Sequence, residues 1–346
     1  LGKNILWCKD SLPSDTVPDR KVRVFGLPVL FFSYDTGWGF GGGGIVSFKG
    51  QPLRSSVLFS VAYTQRKQWL LYFPYQWYGG KWRVNGEVGW YRYLYQFFGI
   101  GNRYSNDFIE YFTAQYPRLR LNVARSINAR SLVGLRYSMD YFNMLEREPN
   151  GLLVNYPIPG ANGGFSSGLG AVWIYDTRDN PFYAKKGFYA ETFILSENKL
   201  TGSPFQYVRC SNETAWYQSL GRSKKVVWAN QFSLQLTYGA APFFSLPQLG
   251  GPKRLRGYFA GKYRDQHAVS LQSELRVPLF WRLKGVGFAS LGSVMGSPSE
   301  NPQLRYDAGA GLRFEFDKKQ HIHLRLDYAR GGLGNSALYV TIGEAF

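Results

Sequence analysis

The feature that most constrains this chain is an alternation of apolar and polar residues sustained over runs of about ten to fifteen residues. In KWRVNGEVGWYRY, Trp82, Val84, Val88 and Trp90 alternate with Lys81, Arg83, Asn85 and Glu87. A period of two puts the two sets on opposite faces of a strand. The split recurs with Phe232, Leu234, Leu236 and Tyr238 in NQFSLQLTYG, and with Val269, Leu271, Leu275 and Val277 in VSLQSELRVPLF. It appears again with Ile322, Leu324, Leu326 and Tyr328 in HIHLRLDYAR. Strands in soluble sandwiches average about five or six residues, so runs of this length point to strands that cross a bilayer.

Composition supports an all-β membrane protein. Aromatic residues make up 18% of the chain, with Tyr, Phe and Gly in excess, as in the aromatic girdles of membrane barrels. The mean hydropathy of -0.27 fits, because only alternate residues of a barrel strand face lipid. Helical spanning is excluded: the longest apolar candidate, FGLPVLFF, is short and interrupted by Pro28. The expected fold is a transmembrane antiparallel β-barrel of about sixteen strands. Taking VFGLPVLFFS (Val24 to Ser33) as the first strand gives the even number and puts the long stretches 96–109 and 145–162 on the outer side. RSINAR, DNPFYAKKG, GRSK, LFWR and DKKQ then become periplasmic turns. Residues 1–20 read as a short periplasmic N-terminal segment and 21–346 as one barrel domain. The absence of a basic-then-apolar leader fits a mature, exported form. Cys8 and Cys210 are too few for a disulfide framework and wrongly spaced for zinc.

Several motifs invite a chemical reading. GFGGGG (Gly39 to Gly44) matches a dinucleotide fingerprint but opens an alternating strand instead of a helix. GFSSG (Gly164 to Gly168) matches a nucleophile elbow, yet a strand follows Ser166. His321 and His323 share one face of a strand without a third ligand at suitable spacing. In DTRDNP, turn chemistry and a local ion pair account for Asp176, Arg178, Asp179 and Asn180. No catalytic, metal or cofactor site is expected. The net charge of +18 has candidate carriers in inward Arg83, Arg118, Arg120, Arg276, Arg313 and Arg325, since basic lumen walls attract anions or acidic segments.

Three stretches together carry a family resemblance: Arg256-Gly257-Tyr258 within LGGPKRLRGYFAGKY, YDTRDNPFYAKKG (Tyr175 to Gly187), and the final LYVTIGEAF with Ile342, Gly343 and Phe346. GAGLRFEF and LRLDYA add to it. The chain resembles the BamA and TamA type of outer-membrane assembly factors, the bacterial surface antigen superfamily. The resemblance implies that the Arg-Gly-Tyr loop, between the eleventh and twelfth strands, folds back into the barrel. Inward-facing Glu274, Asp307, Glu315 and Asp327 offer it an acidic wall, Arg presents a fork suited to carboxylates, and Gly257 permits close approach. As the family implies, Arg256 is expected to pair with Glu315 or Asp327; the alternatives are a mobile loop on lipid phosphates or, least favoured, a nucleic-acid contact. A weak lateral seam is expected between the first strand, with Gly26 and Pro28, and the last, with Ile342, Gly343 and Phe346, because Pro28 has no N–H to give a ladder and Gly26 weakens the strand.

The implied function is a non-enzymatic role in or alongside outer-membrane protein assembly or translocation, as a subunit of a larger complex. An outer-membrane enzyme or pore, or a purely structural barrel subunit, is the alternative. The expected location is the outer membrane of a Gram-negative bacterium. Expected partners are outer-membrane lipids including lipopolysaccharide and other outer-membrane or periplasmic proteins, with no nucleic acid. Family members usually carry periplasmic POTRA domains ahead of the barrel; the chain reads as a barrel-only member lacking them.

Overall fold

The computed structural model describes residues 22–33, 37–50, 54–102, 108–318 and 321–346; the segment expected at residues 1–20 lies outside these. Sixteen strands form a single antiparallel sheet in chain order. They are β1 (Val22–Ser33), β2 (Gly37–Phe48), β3 (Ser55–Thr64), β4 (Trp69–Gly79), β5 (Trp82–Phe97), β6 (Glu110–Ser126), β7 (Ser131–Arg147) and β8 (Gly164–Asp176). The second half comprises β9 (Gly187–Glu197), β10 (Tyr207–Leu220), β11 (Val226–Gly239), β12 (His267–Pro278), β13 (Leu283–Met295), β14 (Arg305–Asp317), β15 (Ile322–Gly331) and β16 (Ser336–Ile342). Consecutive strands pair, so the connections alternate between the two ends, and the longest ones, after β5, β7 and β11, all fall at the same end. The fold is the expected transmembrane barrel, with VFGLPVLFFS inside its first strand.

The pattern of burial is inside out relative to a soluble protein. On β12, Leu271 and Leu275 are 40% and 45% exposed, whereas Glu274 and Arg276 between and beside them are fully buried. β15 repeats this: Leu326 and Tyr328 are exposed while Arg325 and Asp327 are buried. The apolar face meets lipid and the charged face lines the lumen, which is why the alternation is strict.

Side chains at the turns supply what the backbone lacks there. Asn128 Oδ1 accepts from the N–H groups of Arg130 and Ser131 in RSINAR. In DNPFYAKKG, Asn180 Oδ1 accepts from Phe182 and Tyr183, and Asp179 Oδ1 from Lys185 and Lys186. At the other end the long connections fold over the mouth. Phe97, Phe112, Phe142, Leu153 and Phe243 form an apolar cap there. Leu152–Asn155 makes one helical turn, whose Leu152 and Leu153 N–H groups donate to Glu110 at 2.7 and 3.1 Å.

Candidate functional site: an inward loop and a buried ion network

The connection from β11 to β12 descends into the lumen as a hairpin. At its base Gln248–Leu249 pairs with Tyr263–Arg264. Below this rung Gly251 N donates to Tyr258 O at 2.9 Å and Tyr258 N to Leu255 O at 3.1 Å, closing the tip. Leu255, fully buried, packs with Leu249, Tyr258, Tyr263, Ala268 and Val294, so an apolar knot holds the hairpin to the wall.

Arg256 is the deepest anchor. Its Nη1 donates to Asp327 Oδ2 at 2.7 Å and its Nη2 to Glu274 Oε1 at 2.6 Å, with all three side chains fully buried. The guanidinium also lies over the Phe288 ring, 3.5 Å from its centroid. A planar fork between two carboxylates and an aromatic face is an arrangement Lys cannot reproduce. Gly257 N donates to Asp307 Oδ2 at 2.5 Å. A Cβ at Gly257 would run into the backbone of Arg330 and Gly331, so the close approach requires glycine. Tyr258 completes the lock: its hydroxyl donates to Tyr306 O at 3.0 Å and accepts from Gly332 N at 2.8 Å, while its carbonyl accepts from the Tyr339 hydroxyl at 2.9 Å.

Of the acidic residues expected around Arg256, Glu274 and Asp327 are there and Glu315 is not. Glu315 lies beside His321 (2.6 Å) and Lys284 (3.6 Å) near the periplasmic end of β14. The register explains the miss. Asp327 stands opposite Gly311, and Glu315 is four residues further along, about 14 Å of strand. Alternation fixed its face correctly but says nothing of its depth.

The network continues beyond the lock. Arg313 bridges Asp327 (2.5 Å) to Glu344 (2.9 Å), and Arg276 bonds Glu274 at 2.8 Å. Glu344 also lies 3.0 Å from Nδ1 of His323, whose Nε2 is 2.8 Å from Lys284 Nζ. Burial alone would raise the Glu344 carboxyl, but Arg276, His323 and Arg313 together hold it well below the usual carboxylate range.

Glu344 occupies this position because the last strand stops at Ile342. Gly343, at φ 87°, turns the chain inward, and Phe346 stacks on Tyr217 of β10 (6.2 Å between centroids) and lies against Arg276 (5.3 Å). Phe346 therefore does not belong to the seam strand as expected; it sits in the lumen. The sequence carried a signal for this. Continuing the parity of Leu338, Val340 and Ile342 would have put Glu344 in lipid, where a carboxylate is costly.

The remaining seam residues stand on the facing edges. Gly26 and Pro28 lie in β1, opposite Gly44 and Gly42 of β2. Phe25 of β1 stacks on Phe316 of β14 at 4.7 Å, and a Cβ on Gly43 would lie 3.4 Å from Ile342 Cδ1, so side chains from the two ends of the sheet meet. β16, seven residues long, is the shortest barrel strand among the described residues.

The other motifs take structural places. Gly39 to Gly44 lie within β2, and Ser166 shares a 2.7 Å hydrogen bond with the Tyr207 hydroxyl. Asp176 pairs with Arg178 at 2.8 Å, and that guanidinium covers the Tyr189 ring.

With this geometry in place, comparison with known proteins gives a consistent result. Residues 40–346 match the Omp85 superfamily domain. Similar solved structures include BamA from Haemophilus ducreyi lacking POTRA domains 1–3 (16% identity, TM-score 0.59, covering 93% of this chain and 70% of that one). CdiB from Escherichia coli (12%, 0.65, 95% and 63%) and CdiB from Acinetobacter baumannii (13%, 0.59, 94% and 60%) are also similar. At these identities the likeness is one of fold, and the chain spans 60% to 70% of their lengths. No curated protein matches it in sequence.

Proposed function

Because the chain belongs to the Omp85 superfamily, we propose that it acts in or alongside outer-membrane protein assembly or translocation, as a non-enzymatic barrel working with other outer-membrane or periplasmic proteins. The observation that carries this reading is the pairing of a tightly held lumen with a lightly built edge. The hairpin and the C-terminal tail fill the lumen through buried ion pairs. In contrast, β16 offers β1 only seven residues, and Pro28 has no N–H to donate. A barrel strongest in its interior and weakest at its closing pair is suited to sideways opening, where an edge strand can template a client strand. Its place is the outer membrane of a Gram-negative bacterium, with lipopolysaccharide among the lipids around it.

The test joins depletion to copurification. Depleting the protein from its host should lower the amounts of other outer-membrane barrels or exported chains, and gentle extraction should bring partner proteins with it. An unchanged outer-membrane profile together with isolation of the barrel alone sinks the reading.

A further inference from the structure

Between the hairpin and the wall formed by β6, β7 and β9 to β11, the lumen keeps a chamber of about 510 Å³, roofed by the loop segment 244–248. Its lining is lopsided in charge. Arg118, Arg120, Arg136, Arg209, Lys253 and Arg254 face three carboxylates, Asp140, Glu191 and Glu213. Arg118 and Arg120 share Asp140, Arg136 takes Glu191 at 2.8 Å, and Arg254 takes Glu213. Arg209 draws on Glu197, which stands outside the lining. Arg118 also reaches Glu87 at 4.0 Å, likewise outside the lining, so with Glu87 and Glu197 counted six cations stand against five acids.

The surplus is localised at Lys253. Among the described residues it has no acid within salt-bridge distance, although it lies deep inside the barrel with open surface toward the chamber. Depth, Arg254 and Arg325 push its ammonium pKa down, against the pull of Glu87 and Glu213. The backbone beneath it is fixed: Gln272 Nε2 donates to Lys253 O at 2.7 Å, and Arg325 Nη2 to Pro252 O at 2.9 Å. The side chain is thus projected into the cavity from an anchored hairpin. Thr237, Arg209 and Arg254, which also line the chamber, each keep a buried polar atom without a hydrogen-bond partner among the described residues, Thr237 Oγ1 and the two Nε atoms. Converging cations in a shielded space call for a counter-charge, and planar guanidinium groups beside an ammonium suit an oxygen anion.

We propose that this chamber is an oxyanion-binding site centred on Lys253, taking either the carboxylates of an acidic peptide segment or free phosphate groups. The proposal stands independently of the assembly reading. It is tested by calorimetric titration of the whole chain in nonionic detergent at constant ionic strength, with inorganic pyrophosphate in one arm and a hexaglutamate peptide in the other. Saturable binding of about one ligand per barrel is expected in at least one arm; peptide alone assigns the site to an acidic segment, and pyrophosphate alone to a free anion. Affinity should fall at least about tenfold in K253Q, stay near the parent value in K253R, and be unchanged in K199Q, which alters an exposed outer lysine. Heat-modifiable gel mobility confirms that each variant is folded. Absence of saturable binding in both arms, or equal affinity in folded K253Q, overturns the proposal.

Discussion

Removing the Arg256 guanidinium would leave Glu274 and Asp327 facing each other across the position it occupied, with Arg276 and Arg313 still in contact with them. Breaking a buried pair from one side costs about 3–5 kcal/mol, and the remaining arginines place Arg256→Ala near the lower end. The hairpin should then become accessible to protease from the outer face, and ion conductance should rise. Arg256→Lys should fall between, because an ammonium cannot address both carboxylates as a fork does. Arg254→Ala should have a smaller effect: its pair with Glu213 is partly exposed, and such pairs contribute at most about 1 kcal/mol. Protease access and conductance equal to the parent in both alanine variants would remove the lock from the account. Gly257→Ala should resemble Arg256→Ala, since the added methyl meets the β15 backbone.

At the scale of elements, the C-terminal tail and the closing pair β1/β16 are mechanically joined by Gly343. Docking of the tail depends on Glu344, whose folded pKa lies below its ordinary 4.5. A depressed carboxylate contributes its stability fully above the unfolded value and loses it as pH falls through the folded one. The tail should therefore resist carboxypeptidase throughout about pH 5 to 8. Glu344→Gln should expose Phe346 to trimming across that whole range, and equal trimming of parent and variant would contradict the ion network. At the seam, paired cysteines along β1 and β16, in a background without Cys8 and Cys210, should crosslink and block function until reduced. Full activity with the seam covalently shut would leave a static scaffold as the better description.

For the whole molecule, closure makes stability cooperative: no strand of a membrane barrel can leave its backbone groups unpaired in lipid. Unboiled protein in detergent should migrate differently on a gel from the boiled form, with a β-type circular dichroism spectrum. A helix-dominated spectrum, or no mobility change together with loss of β signal, would refute the barrel. The lumen is occupied by the hairpin, the tail and their ion pairs, leaving the basic chamber on the β6–β11 side. Ion flow through the parent should accordingly be small beside that of Arg256→Ala.

The sequence by itself determined the barrel, its sixteen strands and the lipid and lumen faces of its alternating strands. These follow from parity and turn chemistry, which are local properties of the chain, whereas the descent of the Arg-Gly-Tyr loop was implied by the family resemblance alone. Depth is different. It depends on register, and so Glu274 and Asp327 meet Arg256 while Glu315, of the same face, lies about four residues away from that level along β14. The inward turn at Gly343 was visible only as a broken parity, and its destination beside Tyr217 was set by the curvature of the closed sheet. The chamber was the least legible feature, because Arg118 and Lys253 come to line one cavity only when distant strands and a returning loop enclose a common space. Alternation tells each residue which side it faces; only the tertiary structure decides what stands across from it.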